Sequence, residues 1–372
     1  MESNKKFKIL IPDLIKPPAE IERKILSDIG DVVATEVIES NQIDEKLLNE
    51  CDAIIGYDHL VYDKKLISKL TKCQAIVRAG IGFDNVDLDE AKNNNIIVCN
   101  VPDYCIEEVA DHAMGLLLSI VRNLTNYNDS VKENKWIRKN QFSFRFRNKT
   151  LGIIGLGRIG TAMTNKAKCL GLKVMFYDPY VTSKYGKSLN AKKVKTIKEL
   201  AEKSDIITIH ATLTDETKNM VNEKFFKHVK KGMILINTAR GGIVDISALE
   251  KYMKNNTIAA CGLDVISKEP PGSSINLVND YKQEKEWIKG RLILTPHVAF
   301  YSHEAFDELR TKSAMEVKRI LEGKKPKNCV NNFSAKQKTR WIDGKNKNRS
   351  PWVQWVVYNS YRKYNLYFYG NI

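Results

Sequence analysis

The sequence predicts an α/β protein built from two doubly wound, mostly parallel sheets. Three observations carry this expectation. The chain has 372 residues, and at roughly 150 residues per domain that is two cores. Short β-branched runs alternate with polar stretches of helical spacing. The alternation runs through one set of strands, is interrupted by one long apolar helix pattern, and then starts again.

In the first set, FKILIP (7–12), AIIGY (53–57), AIVRAG (75–80) and IIVCNV (96–101) read as strands with turn signals nearby. Between them, IDEKLLNE (43–50) has helical spacing. The strongest helix pattern is 104–122, where Ile106, Val109, Ala110, Ala113, Met114, Leu117, Ile120 and Val121 recur at three- and four-residue steps. Asp103, after Pro102, is placed to cap it. The apolar face is wide, which suits burial between layers or between subunits. Trp136 and the run FSFRFRN (142–148) are expected to pack this helix against the sheet.

The second set is TLGIIG (150–155), KVMFYD (173–178), IITIH (206–210), MILINT (233–238), AACGLDV (259–265) and LILTPH (292–297). Six strands with helical spacers make a second complete sheet. Residues 334–372 break the pattern. This stretch is polar and basic, then crowded with Trp and Tyr, and has neither a helical stripe nor a hairpin.

Composition narrows the function classes. A content of 43% apolar and 28% charged residues is that of a folded soluble protein. No apolar run reaches the ~20 residues that span a bilayer, and the start lacks the apolar core of a secretion signal. Seven scattered cysteines without a CxxC pair suggest reduced thiols and a cytoplasmic setting. The net charge of +16 invites a nucleic-acid reading. However, residues 334–372 hold eight Lys/Arg against one acid, Asp343. That is +7, which leaves +9 on the first 333 residues, so a nucleic-acid role is confined to the tail.

The first chemical motif is Gly155-Leu156-Gly157-Arg158-Ile159-Gly160. It follows a strand, opens a helical run, and is followed by a second strand ending in Asp178, 18 residues after Gly160. That context is what dinucleotide binding requires. Gly155 permits a tight turn, Gly157 lets backbone approach a pyrophosphate, and Gly160 lets helix and strand pack closely. The phosphates then meet free amides at a helix N-terminus. Asp178 can accept hydrogen bonds from ribose hydroxyls and would repel a 2′-phosphate, and no Lys or Arg follows it until Lys184. NAD is therefore expected over NADP.

The second constellation is Arg240, Glu269 and His297, each at or just past the carboxyl end of a different strand, where ligands of open α/β sheets bind. An Arg fork can hold carboxylate and carbonyl oxygens together. A His can exchange a proton with a 2-oxygen. A neighbouring Glu would orient that His and favour its charged form. The set suits hydride chemistry at a carbonyl beside a carboxylate. No His/Cys cluster has metal-ligand spacing. His112 is read as a packed polar residue, His59, His228 and His303 as surface residues or residues behind the site, and His210 as a structural lining at the cofactor edge.

Residues 74–333 resemble the D-isomer-specific 2-hydroxyacid dehydrogenases. VRAGIGFDNVD (77–87), GLGRIG (155–160), INTARGGIVD (236–245), LDV and EP within 263–270, and TPH (295–297) occur in that family's order and spacing. The run 82–111, MFYDPY (175–180), TPHVAFYS (295–302) and KNCVN (327–331) resemble the C-terminal-binding-protein branch most. The resemblance implies a catalytic set of Arg240, Glu269 and His297. It also implies a substrate-carboxylate cradle at the amides of Gly80, Ile81 and Gly82. Cofactor contacts are implied from Ile81, residues 155–160, Asp178, Ala211, Thr212, Thr217, Thr238, Ala239, Arg240, Asp264 and His297, with Asp264 at the nicotinamide carboxamide.

The implied fold is a discontinuous, flavodoxin-like substrate domain (1–103 plus 300–333) and an NAD-binding Rossmann domain (104–299), with 334–372 an atypical tail. A homodimer through helix 104–122 is implied as well. Two departures stand out: Thr212 where many members carry Pro, and Phe300 where the branch's animal corepressors carry Trp. Two functions follow as expectations: an NAD-dependent dehydrogenase acting between 2-keto and 2-hydroxy acids, or an NAD(H)-sensing dimeric binding protein with weak or no turnover.

Overall fold

The structure is a computed structural model that describes residues 6–138 and 143–331. Every reading placed on 334–372 lies outside those residues. The described residues pack as two units, 6–104 with 306–331, and Cys105–Ala305.

The first unit holds β1 (Phe7–Ile11), β2 (Gly30–Ala34), β3 (Ala53–Gly56), β4 (Ala75–Arg78) and β5 (Ile97–Asn100). All are parallel, in the order β2-β1-β3-β4-β5, the flavodoxin-like arrangement. The four strands expected here are present, each one or two residues shorter. β2 escaped the sequence reading because it lies at the sheet edge and alternates buried with exposed residues, so it shows no apolar run. Helix Glu45–Glu50 is capped by the Asp44 carboxylate, which accepts from the Lys46 amide.

Strand order reverses between β1 and β3. There the buried Asp13 carboxylate accepts the backbone N–H groups of Tyr57 and His59, at 2.9 and 3.1 Å. Burial raises its pKa, and these two bonds work against the rise.

The helix His303–Leu321 belongs to this unit from Phe306 on. Arg310 grips the fully buried Glu22 with two bonds, Nε to Oε1 at 2.8 Å and Nη2 to Oε2 at 2.7 Å. Lys318 pairs with Asp28 at 2.7 Å.

The second unit holds β6 (Thr150–Ile154), β7 (Lys173–Tyr177), β8 (Lys192–Lys193), β9 (Ile206–Ile209), β10 (Met233–Asn237), β11 (Ile258–Leu263) and β12 (Leu292–Leu294). They are parallel, in the order β12-β11-β10-β9-β6-β7-β8. This is the doubly wound dinucleotide-binding order with one strand added at the edge. The six expected strands are there. The two-residue β8 is too short to leave a pattern.

Two apolar clusters cover the two faces of the sheet. One includes Leu200, Phe225, Phe226, Leu249 and Leu277, and the other is built on the helices Ile106–Arg122 and Arg158–Cys169.

Three local expectations need correction. The long helix starts at Ile106 behind Cys105 without a side-chain cap, whereas Asp103 pairs with Lys312 at 2.8 Å. Tyr104 and Cys105 separate Asp103 from the first turn. Trp136 is 77% exposed and packs nothing inward, although Phe144 and Phe146 do lean on the core. The wide apolar face of Ile106–Arg122 is spent inside its own unit, with Val109, Ala110, Ala113, Met114, Leu116, Leu117, Ile120 and Val121 all buried. Its width therefore carries no argument for a second subunit. Among the described residues, no helix is long and apolar enough to cross a membrane.

The Arg310–Glu22 pair sets a test. Arg310→Leu strands a buried carboxylate and is expected to cost about 3–5 kcal/mol in urea unfolding, while Glu22→Leu/Arg310→Leu recovers more than half of that loss. Equal losses in the single and double variants would show that packing, not the charge, holds this helix.

Candidate active site

In the second unit, strand order reverses between β6 and β9, and ligands of such sheets bind beside the strand ends at that point. Gly155 follows β6 in the left-handed region, φ +89°, and a Cβ there would lie 2.8 Å from the backbone of His210 and Ala211. A Cβ on Gly160 would lie 2.2 Å from the Gly155 carbonyl oxygen. Both glycines are thus demanded by close backbone approach. Gly157 is the N-cap of Arg158–Cys169 and faces open space, with nothing within 4 Å of a Cβ built on it. An anion has room there at the positive end of a twelve-residue helix.

Asp178, past β7, accepts the amide of Leu156 at 2.9 Å and those of Tyr180 and Val181 at 2.9 and 3.1 Å. The motif loop and the second strand are tied together through this carboxylate. Loop 211–217 closes on itself through Thr217, whose hydroxyl bonds the carbonyl of Thr212 at 2.6 Å and accepts the Thr214 amide at 2.8 Å. Tyr180 reaches Glu216 on that loop at 2.7 Å, and this bond pushes the phenol's pKa up.

Two buried polar atoms at these strand ends lack partners within the structure: Thr238 Oγ1 after β10 and His210 Nδ1 after β9. Buried polar atoms without protein partners at the strand ends, one of them on the residue that packs against Gly155, fit the polar edges of a dinucleotide. Enclosure without a charge partner lowers the His210 pKa to about 3, so the ring stays neutral, with Nε2 on Thr208 Oγ1 at 2.9 Å.

At the other end of the edge, His297 Nδ1 lies 2.6 Å from Glu269 Oε2, and Glu269 Oε1 accepts the Ile266 amide at 2.9 Å. A carboxylate only accepts, so Nδ1 carries the hydrogen and Nε2 is the nitrogen left for proton exchange. His297 sits in the left-handed region, φ +53°. Its amide bonds the Asp264 carbonyl at 2.8 Å.

The Asp264 carboxylate is buried and takes three donors: Thr295 Oγ1 at 2.6 Å, Val298 N at 2.9 Å and Ala299 N at 2.9 Å. Since Thr295 spends its only hydrogen on Asp264, it accepts from His112 Nε2 at 3.0 Å. His112 is therefore the outer member of this chain, beyond the packing role read from the sequence. Arg240 enters the same edge from β10, with one Nη1 bond to the Ala239 carbonyl at 2.9 Å. Gly241 brings its loop onto the next one, since a Cβ would lie 1.9 Å from the Ile266 carbonyl carbon. Sequence reasoning missed Thr295 and Gly241; the glycine pair in ARGG was the available signal for the second.

In the first unit, Gly80, Ile81 and Gly82 follow β4. The carbonyls of Gly80 and Ile81 are taken by Val101 N at 3.0 Å and Asn100 Nδ2 at 2.7 Å. The three amides have no acceptor among the described residues.

The family model described as "D-isomer specific 2-hydroxyacid dehydrogenase, NAD binding domain" matches residues 114–299. D-3-phosphoglycerate dehydrogenase of Methanocaldococcus jannaschii is 34% identical over 324 residues, covering 87% of this chain and 59% of the relative. The chain belongs to the D-isomer specific 2-hydroxyacid dehydrogenase family. The Bacillus subtilis D-3-phosphoglycerate dehydrogenase is 32% identical over 325 residues with the same coverage. The chain thus spans about three fifths of the length of these curated relatives. D-lactate dehydrogenase from Aquifex aeolicus, solved with NAD and lactic acid, is similar at TM-score 0.74 and 29% identity, covering 85% of this chain and 96% of that one. A glyoxylate reductase from Paecilomyes thermophila shares the fold at TM-score 0.78 and 24% identity, over 88% and 98% of the two chains. The part matching the family's NAD-binding domain is the unit that carries the glycine loop, Asp178 and the His297–Glu269 pair.

His210 gives this unit a pH signature. Its pKa is about 3 when folded and near 6.5 when free, so below pH 6.5 the unfolded chain binds a proton that the native ring refuses. The stability it contributes is present above pH 6.5 and is lost as the pH falls. Urea unfolding of His210→Gln is expected to lose stability less steeply between pH 6 and 4, by about 1 kcal/mol per pH unit. Parallel pH profiles for the two proteins would contradict a neutral buried ring.

Proposed function

We propose that the chain is an NAD-dependent oxidoreductase that interconverts small 2-keto acids and D-2-hydroxy acids. The observation that carries this reading is the His297–Glu269 pair at 2.6 Å, on the same sheet edge as a dinucleotide loop. Gly155, Leu156, Gly157, Arg158, Ile159 and Gly160 hold the pyrophosphate of NAD, and Asp178 the ribose hydroxyls. Ala211, Thr212, Thr217, Thr238, Ala239 and Asp264 line the rest of its length.

NADH held by these residues would supply the hydride for C2 of the keto acid. His297 Nε2–H gives its proton to the 2-oxygen, and in the reverse direction the neutral ring removes it. Glu269 is a positioning residue that fixes the Nδ1–H form and offsets the imidazolium charge. Arg240 binds the carboxylate and carbonyl oxygens through its fork. In the first unit, the amides of Gly80, Ile81 and Gly82 are assigned to a carboxylate. Family membership and the likeness to an enzyme solved with NAD and lactic acid support the reading.

A homodimer through the region of helix 104–122 is proposed from the family resemblance; Leu124, Val131, Trp136 and Ile137, each more than half exposed, lie just after that helix. The C-terminal-binding-protein branch remains a proposal resting on the motifs at 82–111 and 295–302. It would add an NAD(H)-sensing role, favoured if nucleotide shifts the oligomer while no keto acid turns over.

The experiment is NADH oxidation with glyoxylate, hydroxypyruvate, pyruvate and longer 2-keto acids. At least one acid is expected to turn over, and His297→Ala to lower kcat roughly 10²–10⁴-fold. NADH that binds while every acid stays unreduced would sink the dehydrogenase reading and leave the sensor.

A further inference from the structure

Residues 328–331 of the first unit return to the β5 edge of its sheet through one isolated antiparallel bridge. Cys99 and Cys329 stand opposite each other in it. Asn100 donates to the Asn328 carbonyl at 3.2 Å, and Val330 donates to the Val98 carbonyl at 2.8 Å. These two bonds flank the cysteines rather than join them, which makes 99/329 a non-hydrogen-bonded pair. Such pairs have Cα atoms about 4.5 Å apart and side chains on one face, close together. Disulfides need about 4.4–6.8 Å between Cα atoms.

The register is held twice more by Asn331, whose side chain accepts from Val98 N at 3.2 Å and donates to the Ile96 carbonyl at 2.8 Å. Cys99 is fully buried, whereas residue Cys329 is exposed and its Sγ donates to Asn331 Oδ1 at 3.3 Å. The Cys99 thiol is pushed up first by its hydrogen bond to Cys329 and then by burial, so Cys99 holds its proton while Cys329 meets solvent.

We propose that Cys99 and Cys329 form a reversible disulfide with low-molecular-weight disulfides as oxidant. The Cys329 thiolate attacks one sulfur of the small disulfide and expels one small thiolate, which takes up a proton. Cys99 gives up its proton and attacks Cys329 Sγ of the mixed disulfide, expelling the second small thiol. Two protein thiols become one disulfide, and one small disulfide becomes two thiols. The bond closes a covalent loop around the whole of Cys105–Ala305 and clamps residues 328–331 to β5. The other close thiol pair, Cys51 and Cys73, is buried at both sulfurs and offers no attacking thiol.

The test uses the full chain incubated with oxidised glutathione, then unfolded, alkylated, digested and mapped by mass spectrometry without reductant. The expected result is one peptide pair joined through Cys99 and Cys329 and reopened by dithiothreitol. Cys329→Ser is expected to leave Cys99 fully alkylated under the same treatment. A wild-type chain whose Cys99 stays alkylated while Cys329 carries glutathione, or whose Cys99 is joined to another cysteine, would overturn the proposal.

Discussion

The candidate site hangs on one buried carboxylate. Asp264 leaves β11 and collects three donors from residues 295–299, so the chain after β12 turns around it. That turn forces His297 into a left-handed backbone, a conformation that costs a non-glycine residue about 1–3 kcal/mol and persists only where its surroundings over-determine it. The surroundings here are the Asp264 carboxylate, its backbone carbonyl, and Glu269 on the imidazole. Three charge-assisted bonds to a group out of water are enough to hold such strain. The His112–Thr295 contact then links the long helix to the same carboxylate, so the first helix and last strand of the unit meet at the turn.

Much of this was legible beforehand, for physical reasons that differ by residue. Gly155 and Gly160 could be read because no other side chain fits where backbones approach so closely. Glu269 and His297 could be read because both follow strands, and strands of buried parallel sheets announce themselves as apolar runs. β2 and β8 could not, since edge strands show water one face and leave no run. The anchoring role of Asp264 was hidden for another reason. Its partners are two backbone amides and one hydroxyl some thirty residues away, and backbone donors carry no sequence signature.

The long helix shows how an apolar face can mislead. Periodicity gave its existence and its buried residues, but not what covers them. The cover turns out to be the sheet and the helix Arg158–Cys169 of the same unit. Some of the exposed apolar residues come just after it, at Leu124, Val131, Trp136 and Ile137. The charge reading behaves similarly. Its unusual part belongs to 334–372, and the first 333 residues carry the remaining +9.

The dependence of the site on Asp264 is measured most directly with Asp264→Asn, a change of charge without a change of size. Urea unfolding and turnover of the same preparation are the two readouts. Losing the charge that gathers three donors is expected to lower stability by about 2 kcal/mol or more. It is also expected to lower kcat at least about tenfold, as the His297 turn relaxes. Stability and kcat both equal to those of the unaltered protein would contradict the account.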